Sequence, residues 1–194
     1  LYTGSAIEPT VVVKDGDTVI PAAEYDVHYA DNLNAGTASV TVTDRAGGNY
    51  QVSGSGSFVI GKAAQTITAA NVTGTYGETG KTVTHSGSVG AVTYSSSDES
   101  IVTVDANGAL TFHKAGSAEI VIRAAGDENH QAGTKSVTVT VAKRTLTFTA
   151  LDKIAFVGMN LPDLSKPEEG KDYTVSGLLE GDELSTAVTV RLSY

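Results

Sequence analysis

The stretch YSSSDESIVTVDANGALTFHKAGSAEIVI, Tyr94 to Ile122, decides the fold. It crowds serines, carboxylates, an Asn-Gly and a histidine into one window and admits three readings: a reaction site, a calcium loop, or the edges and turns of a β-sheet. The apolar residues choose between them. Val102 and Val104, then Leu110 and Phe112, lie two apart, and Ile120 and Ile122 do the same among Glu119, Val121 and Arg123. A period of two places one set of side chains on each face of a strand. Asp105-Ala106-Asn107-Gly108 separates the first two runs, where Asn-Gly tolerates the positive φ of a tight reversal and an Asp side chain bonds nearby amides. The window therefore predicts a strand, a hairpin and a long return strand, with Val102, Val104, Leu110 and Phe112 on one inner face.

The same alternation extends outward. Ala38, Val40 and Val42 alternate with Ser39, Thr41 and Thr43, and Val137, Val139 and Val141 with Thr138 and Thr140. Tyr25, Val27 and Tyr29 share one side of another strand, with Tyr25 and Val27 expected in a core. No stretch combines helical spacing of apolar residues with freedom from β-branched residues and glycine, so the fold class is all-β. AGTASVTV at Ala35 to Val42 reappears as AGSAEIVI at Ala115 to Ile122, and NYQ at Asn49 as NHQ at Asn129, both 80 residues on. Two landmarks at one offset are the mark of tandem modules. The modules expected are residues 1–62, 63–144 and 145–194, the first two ending in the short basic segments at Lys62 and Lys143-Arg144.

Composition narrows the classes. Apolar residues make up 40% of the 194, aromatics 6%, with 21 glycines and no Trp, which suits thin sandwiches filled by small aliphatic side chains. A net charge of -9 repels phosphate backbones and anionic membranes, arguing against a nucleic-acid partner. Cysteine is absent, so there is no disulfide, thiol nucleophile or thiolate metal site. No apolar run approaches the roughly 18 residues of a membrane span, and the first residues, Leu1-Tyr2-Thr3-Gly4, do not read as a signal peptide. The chain is expected to be a monomeric fragment of something longer.

The middle module, VTYSSSDESIVTVDANGALTFHKAGSAEIVI, resembles a bacterial Ig-like domain of group 2: a serine-rich strand end, an alternating strand, an Asn-Gly hairpin, a short strand and a glycine turn into a long strand. The first module, with YTGSAIEPTVVVKDG, YDVHYADNLNAGTASVTV and GNYQ, resembles a related group of bacterial surface repeats, and DYTVSGLLEGDEL in the third resembles the MBG group. The resemblance implies tandem Ig-like β-sandwich modules in an elongated array. By comparison with such modules, module one is expected to lack its opening strand and module three its closing strands.

Each candidate site has a plainer reading. A calcium loop needs oxygen ligands at alternating positions ending in a bidentate Glu, and Asp105-x-Asn107-Gly108 supplies only the first two. Ser95, Ser96 and Ser97 beside Asp98 and Glu99 suggest a hydrolase, yet the nearest histidine, His113, alternates away from Phe112 toward solvent, and there is no G-x-S-x-G elbow. His28, His85, His113 and His130 fall singly, which predicts exposed strand or loop positions rather than metal ligands. GTYGETGKT, Gly74 to Thr82, imitates a phosphate loop, but the position six before Lys81 is Thr75, and the residues that follow are not helical. The pairs Asp127-Glu128, Glu168-Glu169 and Asp182-Glu183 sit in polar loops and cannot face each other across a cleft. The eight tyrosines are expected to cap cores more than to bind sugars. A Lys to Asn or Asp isopeptide needs a buried trio that the sequence does not place. No catalytic, cofactor-binding or metal residue is therefore named.

The resemblance implies non-catalytic spacer and adhesion modules of a bacterial cell-surface or secreted protein, extracellular, meeting a host or cell-surface protein or a glycan and not inserting in a membrane. The alternative is a set of carbohydrate-binding accessory modules of a secreted carbohydrate-active enzyme.

Overall fold

In the computed structural model, which describes residues 1–161, 163–184 and 191, the chain is all-β: fifteen strands in six sheets and, among these residues, a single helical turn of 3-10 type at Ala22–Glu24. β1 (Lys14–Asp15) and β2 (Thr18–Val19) form a small hairpin. β3 (Tyr25–Ala30), β4 (Gly36–Asp44) and β5 (Ser53–Ile60) make an antiparallel sheet with β4 in the middle. Next come β6 (Thr68–Ala69), β7 (Val72–Thr75), β8 (His85–Ser86), β9 (Val92–Ser96), β10 (Val102–Val104), β11 (Leu110–Phe112), β12 (Gly116–Ala124) and β13 (Gly133–Ala142). They form a four-stranded sheet in the order β7-β13-β12-β9, with β7 parallel to β13, and the two-stranded pairs β6-β8 and β10-β11. β14 (Thr147–Ala150) pairs antiparallel with β15 (Tyr173–Ser176). Among the described residues every strand pairing stays within residues 1–62, 63–144 or 145–194.

The alternation read from the sequence is what builds the middle segment. Ala118, Ile120, Ile122 and Ala124 of β12 and Val137, Val139 and Val141 of β13 are buried on one face. They pack on Ile67, Val83, Val102, Leu110 and Phe112 from outside that sheet, so two layers close on one core. The hairpin register is Val102↔Phe112 and Val104↔Leu110. Val104, at the turn end, is only half-buried while the other three are buried. Gly108 supplies the turn: its φ is 80°, and a Cβ there would stand 2.6 Å from the carbonyl oxygen of Val83.

The internal repeat is also a structural one. β4 and β12 are both nine residues long and begin 80 residues apart, at Gly36 and Gly116. Gly36 pairs with Ile60, 24 residues on, and Gly116 with Val141, 25 on, so the intervening turn has one more residue in the second segment. The backbone also matches where each segment opens: Tyr2 N donates to Gly61 O at 2.8 Å, and Tyr76 N to Ala142 O at 2.9 Å. The first core is smaller, made of Ile20, Tyr25, Val42 and Val52 with Val11, Val13 and Val27 packed against it. Tyr25 and Val27 occupy the core as their spacing predicts; Tyr29 lies half-buried. In the third segment Tyr173 is buried, with Phe148 tilted against it at 6.0 Å between ring centroids. The closing strands expected to be missing there concern residues beyond 184, of which only 191 is described. No helix among the described residues is long and apolar enough to cross a membrane.

Substitution separates packing from backbone geometry. Ile120→Ala, at a fully buried site, should cost about 2–5 kcal/mol out of a domain stability of roughly 5–15 kcal/mol. Gly80→Ala, at φ 78° with open space around it, should cost only the roughly 1–2 kcal/mol of a left-handed residue, and Gly108→Ala distinctly more. Urea unfolding at unchanged m-value measures all three; equal losses at the two glycines would contradict the packing around Gly108.

Candidate functional site

Ser96, Ser97, Asp98 and Asp105 of the opening window are spent on backbone amides. Asp98 Oδ1 accepts from Ser100 N at 2.9 Å and Ser100 Oγ at 2.6 Å, Ser96 Oγ accepts from Asp98 N at 3.2 Å, and Ser97 Oγ accepts from Glu119 N at 2.9 Å. Asp105 Oδ1 accepts from Asn107 N and Ala109 N, both at 2.8 Å. His113 is exposed, and its Nε2 lies 2.9 Å from Thr103 Oγ1. The structure thus does not bring Ser96, Asp98 and His113 together. The Asp98 carboxyl is held below its ordinary range by the Ser100 hydroxyl and then its amide, and that of Asp105 by the amides of Ala109 and Asn107. A general acid needs the opposite shift.

Two histidines depart from the exposed positions expected of them. His28 and His113 are exposed, but His85 and His130 are half-buried and partnered. His85 Nδ1 lies 2.8 Å from Tyr94 Oη, with the rings edge to face at 5.8 Å. His130 Nδ1 lies 2.9 Å from Asp127 Oδ1 and its ring stands edge-on to Tyr2 at 5.3 Å. Tyr94 and Asp127 lie nine and three residues from their histidines and Tyr2 in another segment, contacts that alternation along a strand cannot reveal. No group of three or more His, Asp and Glu gathers among the described residues. Gly74 to Thr82 runs from β7 into a turn closed by Glu78 N to Thr75 O at 2.8 Å, with Lys81 ion-paired to Glu78 at 3.1 Å instead of aimed at an open cradle.

A lysine and an acid do meet in the third segment. Lys153 Nζ lies 2.6 Å from Asp172 Oδ1, and Asp172 is only 4% exposed. Lys153 first, then the Glu168 amide, holds the Asp172 carboxyl below its ordinary range. Condensation to an isopeptide needs a neutral amine and a protonated carboxyl assisted by another buried acid. Nearby Glu168 is exposed and paired with Lys171 at 3.5 Å. The pair is a salt bridge that fixes the loop before β15.

The most developed constellations lie where segments meet. At the first junction Asn129 Oδ1 accepts from Ala35 N at 2.8 Å, its Nδ2 donates to Asn34 Oδ1 at 3.2 Å, and Lys62 Nζ donates to Asp127 O at 2.7 Å. At the second, Tyr76 Oη donates to Asp182 Oδ1 at 2.9 Å, Arg144 Nε donates to Gly177 O, and Leu179 covers Gly77. The hydrogen bond to Asp182 and its charge push the Tyr76 hydroxyl above its ordinary range. A cleft of about 500 Å³ opens beside this contact, with Lys114, Lys143 and Arg144 among its cations, Asp182 and Glu183 as its acids, and leucine side chains between. Among its described lining residues there is no nucleophile held by a base. What the arrangement does is orient one segment on the next. These junction residues were not foreseen; the one signal pointing to them is Asn129, the first residue of the repeated NHQ.

No protein-family model matches this sequence, and no curated protein resembles it closely enough to show kinship. The class the fold defines is an all-β chain of several small sheets.

Lowered aspartate pKa values fix the sign of the acid response. Asp98, Asp105 and Asp172 contribute stability that is complete above the ordinary carboxyl value, about 3.9, and is lost as pH falls through their lower folded values. Melting temperature is expected to hold from pH 7 to about 5 and to fall below about 4; a rise on acidification would contradict the assignments. The intact mass is expected to equal that of the sequence, whereas a deficit of one water would identify a Lys153–Asp172 crosslink.

Proposed function

We propose that the chain consists of three consecutive Ig-like β-sandwich modules, residues 1–62, 63–144 and 145–194, serving as non-catalytic spacer and adhesion units of a bacterial cell-surface or secreted protein. The observation that carries this reading is the confinement of pairing and packing. Among the described residues no strand pairing crosses from one segment to another, and the cores around Ile120 and around Tyr25 share no residue. Surface area supports it: the chain exposes 12845 Å², whereas one compact body of 19.9 kDa would expose about 8,700 Å² and three bodies of a third that mass about 11,600 Å² together. The motif resemblance supplies the Ig-like and bacterial parts of the proposal. Adhesion would fall to loops and wet strand faces, since such folds host many activities and fold alone selects none.

Ring exposure disfavours the carbohydrate-binding alternative. A sugar platform needs flat aromatic faces open to solvent. Tyr50 is the one exposed tyrosine among the described residues, and Phe148 and Phe156 are the other exposed rings; Tyr25 and Tyr173 are buried, and Tyr76 and Tyr94 have their hydroxyls engaged.

Small-angle scattering tests the array. A compact chain of this length has a radius of gyration of roughly 16 Å. Three segments end to end, each about as long as its nine-residue strand, about 30 Å, should give roughly 25 Å or more. A value near the compact one sinks the spacer reading, and a reproducible glycan-array signal would revive the alternative.

A further inference from the structure

We propose that the corner Phe156-Val157-Gly158 of the third segment docks the turn around Asn49 and Tyr50 of a second copy of this chain, so that copies join head to tail. This rests on the tandem reading and extends it from one chain to several.

The two junctions inside the chain share one kind of receiving surface. Each begins with an aromatic corner: Tyr2-Thr3-Gly4, with Gly4 at φ 83°, and Tyr76-Gly77, with Gly77 at φ 78°. Each tyrosine amide is tied to the end of its own segment, at Gly61 O or Ala142 O. Each ring then meets the following segment, Tyr2 at His130 and Tyr76 at Asp182.

The third segment repeats the landmarks that lead to this corner. Thr68↔Ser86 and Ala69↔His85 in β6-β8 correspond to Thr147↔Ser176 and Phe148↔Val175 in β14-β15. In both, the glycine just after the second strand, Gly87 or Gly177, backs onto the carbonyl of the threonine two residues before the first, Thr66 or Thr145. Tyr76 follows Thr68 by eight residues, and Phe156 follows Thr147 by nine. Gly158 has φ 92°, and Met159 N donates to Phe156 O at 3.0 Å, a turn like that of Glu78 on Thr75 with Val157 in the place of Tyr76, while Phe156 stands two before its glycine as Tyr2 does before Gly4. Here the apolar side chains lie open: Ile154 is 80% exposed, Phe156 and Met159 are 68%, and Val157 is wholly exposed. So large a group of exposed apolar residues marks an interaction surface.

The presenting surface is likewise used once and left open once. The turn between β12 and β13 delivers Asn129 and His130 to the first segment. Its counterpart 80 residues earlier, between β4 and β5, carries Asn49 and Tyr50. Asn49 turns back to Glu24, and the Tyr50 ring is 47% exposed and stacks on no other ring among the described residues. One chain thus has an open presenting turn on its first segment and an open receiving corner on its third. Surfaces that differ in this way make a heterologous contact, which propagates head to tail. Tyr50 on Phe156 would repeat the edge-on contact of His130 with Tyr2, a geometry aromatic rings favour. With a net charge of -9 on every copy, the contact should tighten as salt rises.

The absence of cysteine makes the test direct. Single variants Tyr50→Cys and Phe156→Cys are mixed in equal amounts and oxidised. The proposal expects the mixed disulfide in excess over statistical pairing, and a Val59→Cys variant, also on an exposed side chain, to pair with Phe156→Cys only statistically. Sedimentation of the unmodified chain should show association that grows with concentration and salt and is lost in Phe156→Asp. Statistical disulfides together with a concentration-independent monomer would overturn head-to-tail docking. The scattering profile of that monomer would still report on the tandem reading, so the two failures are distinguishable.

Discussion

The middle of the molecule depends on the position of β12. A strand between two others is bonded on both sides, and β12 makes nine residue pairs with β13 and five with β9. That leaves its side chains no choice but to alternate between the faces. Ala118, Ile120, Ile122 and Ala124 go in; Glu119 and Arg123 go out. A slip of one residue would carry both charges into the core and all four apolar side chains into water, so register is set by this row alone. The facing layer can then be made of short pieces, β6-β8 and β10-β11, because it needs only to supply Ile67, Val102, Leu110 and Phe112 as a lid.

This explains which parts of the structure can be read from sequence. Alternation and turn chemistry act over a few residues, and the residues that follow them, Ile120, Val139, Asp105 and Gly108, stand where their neighbours require. The two histidines that depart from expectation do so through partners that local pattern does not contain: Tyr94 for His85, and Tyr2 for His130, from the other end of two segments. The other junction contacts are likewise long in sequence, with Ala35 and Asn129 94 residues apart and Tyr76 and Asp182 106 apart. A repeat offset hints that such positions matter, but only the folded backbone says what each one touches. Asn49 and Asn129 illustrate the point, since equivalent residues bond within a segment in one case and across a junction in the other.

Four of the aspartates obey a single local rule. Asp98, Asp105, Asp127 and Asp163 each accept from the amide two residues ahead, at 2.8 or 2.9 Å. Their ionised forms are stabilised and their pKa values fall, first through the Ser100, His130 and Ser165 side chains for Asp98, Asp127 and Asp163 and the Ala109 amide for Asp105, with the turn amides adding to each. Proton transfer near neutrality asks for a carboxyl raised toward pH 7, which desolvation provides and turn amides prevent. The chemistry that makes these residues good turn formers is therefore what disqualifies them as acids, and the negative charge they contribute remains on the surface.

The first junction shows how a chain without disulfides can hold one segment on the next. Gly61 O is taken by Tyr2, and Ala63 donates to Asn129 O while accepting from Gln131 N. Between two residues fixed to opposite segments lies only Lys62, whose own amine is bonded to Asp127 O. A link with one residue between anchored neighbours has two soft dihedrals, too few for a free swivel. The Asn129 side chain, reaching Asn34 and Ala35 away from the link, then blocks the tilt that those dihedrals still permit. Stiffness here comes from backbone bonds on both sides of the link, with the asparagine as a brace. The second junction differs in kind: Arg144 and Tyr76 bond across it beside an open cleft, so its orientation is set by side chains, and bending between segments should concentrate there.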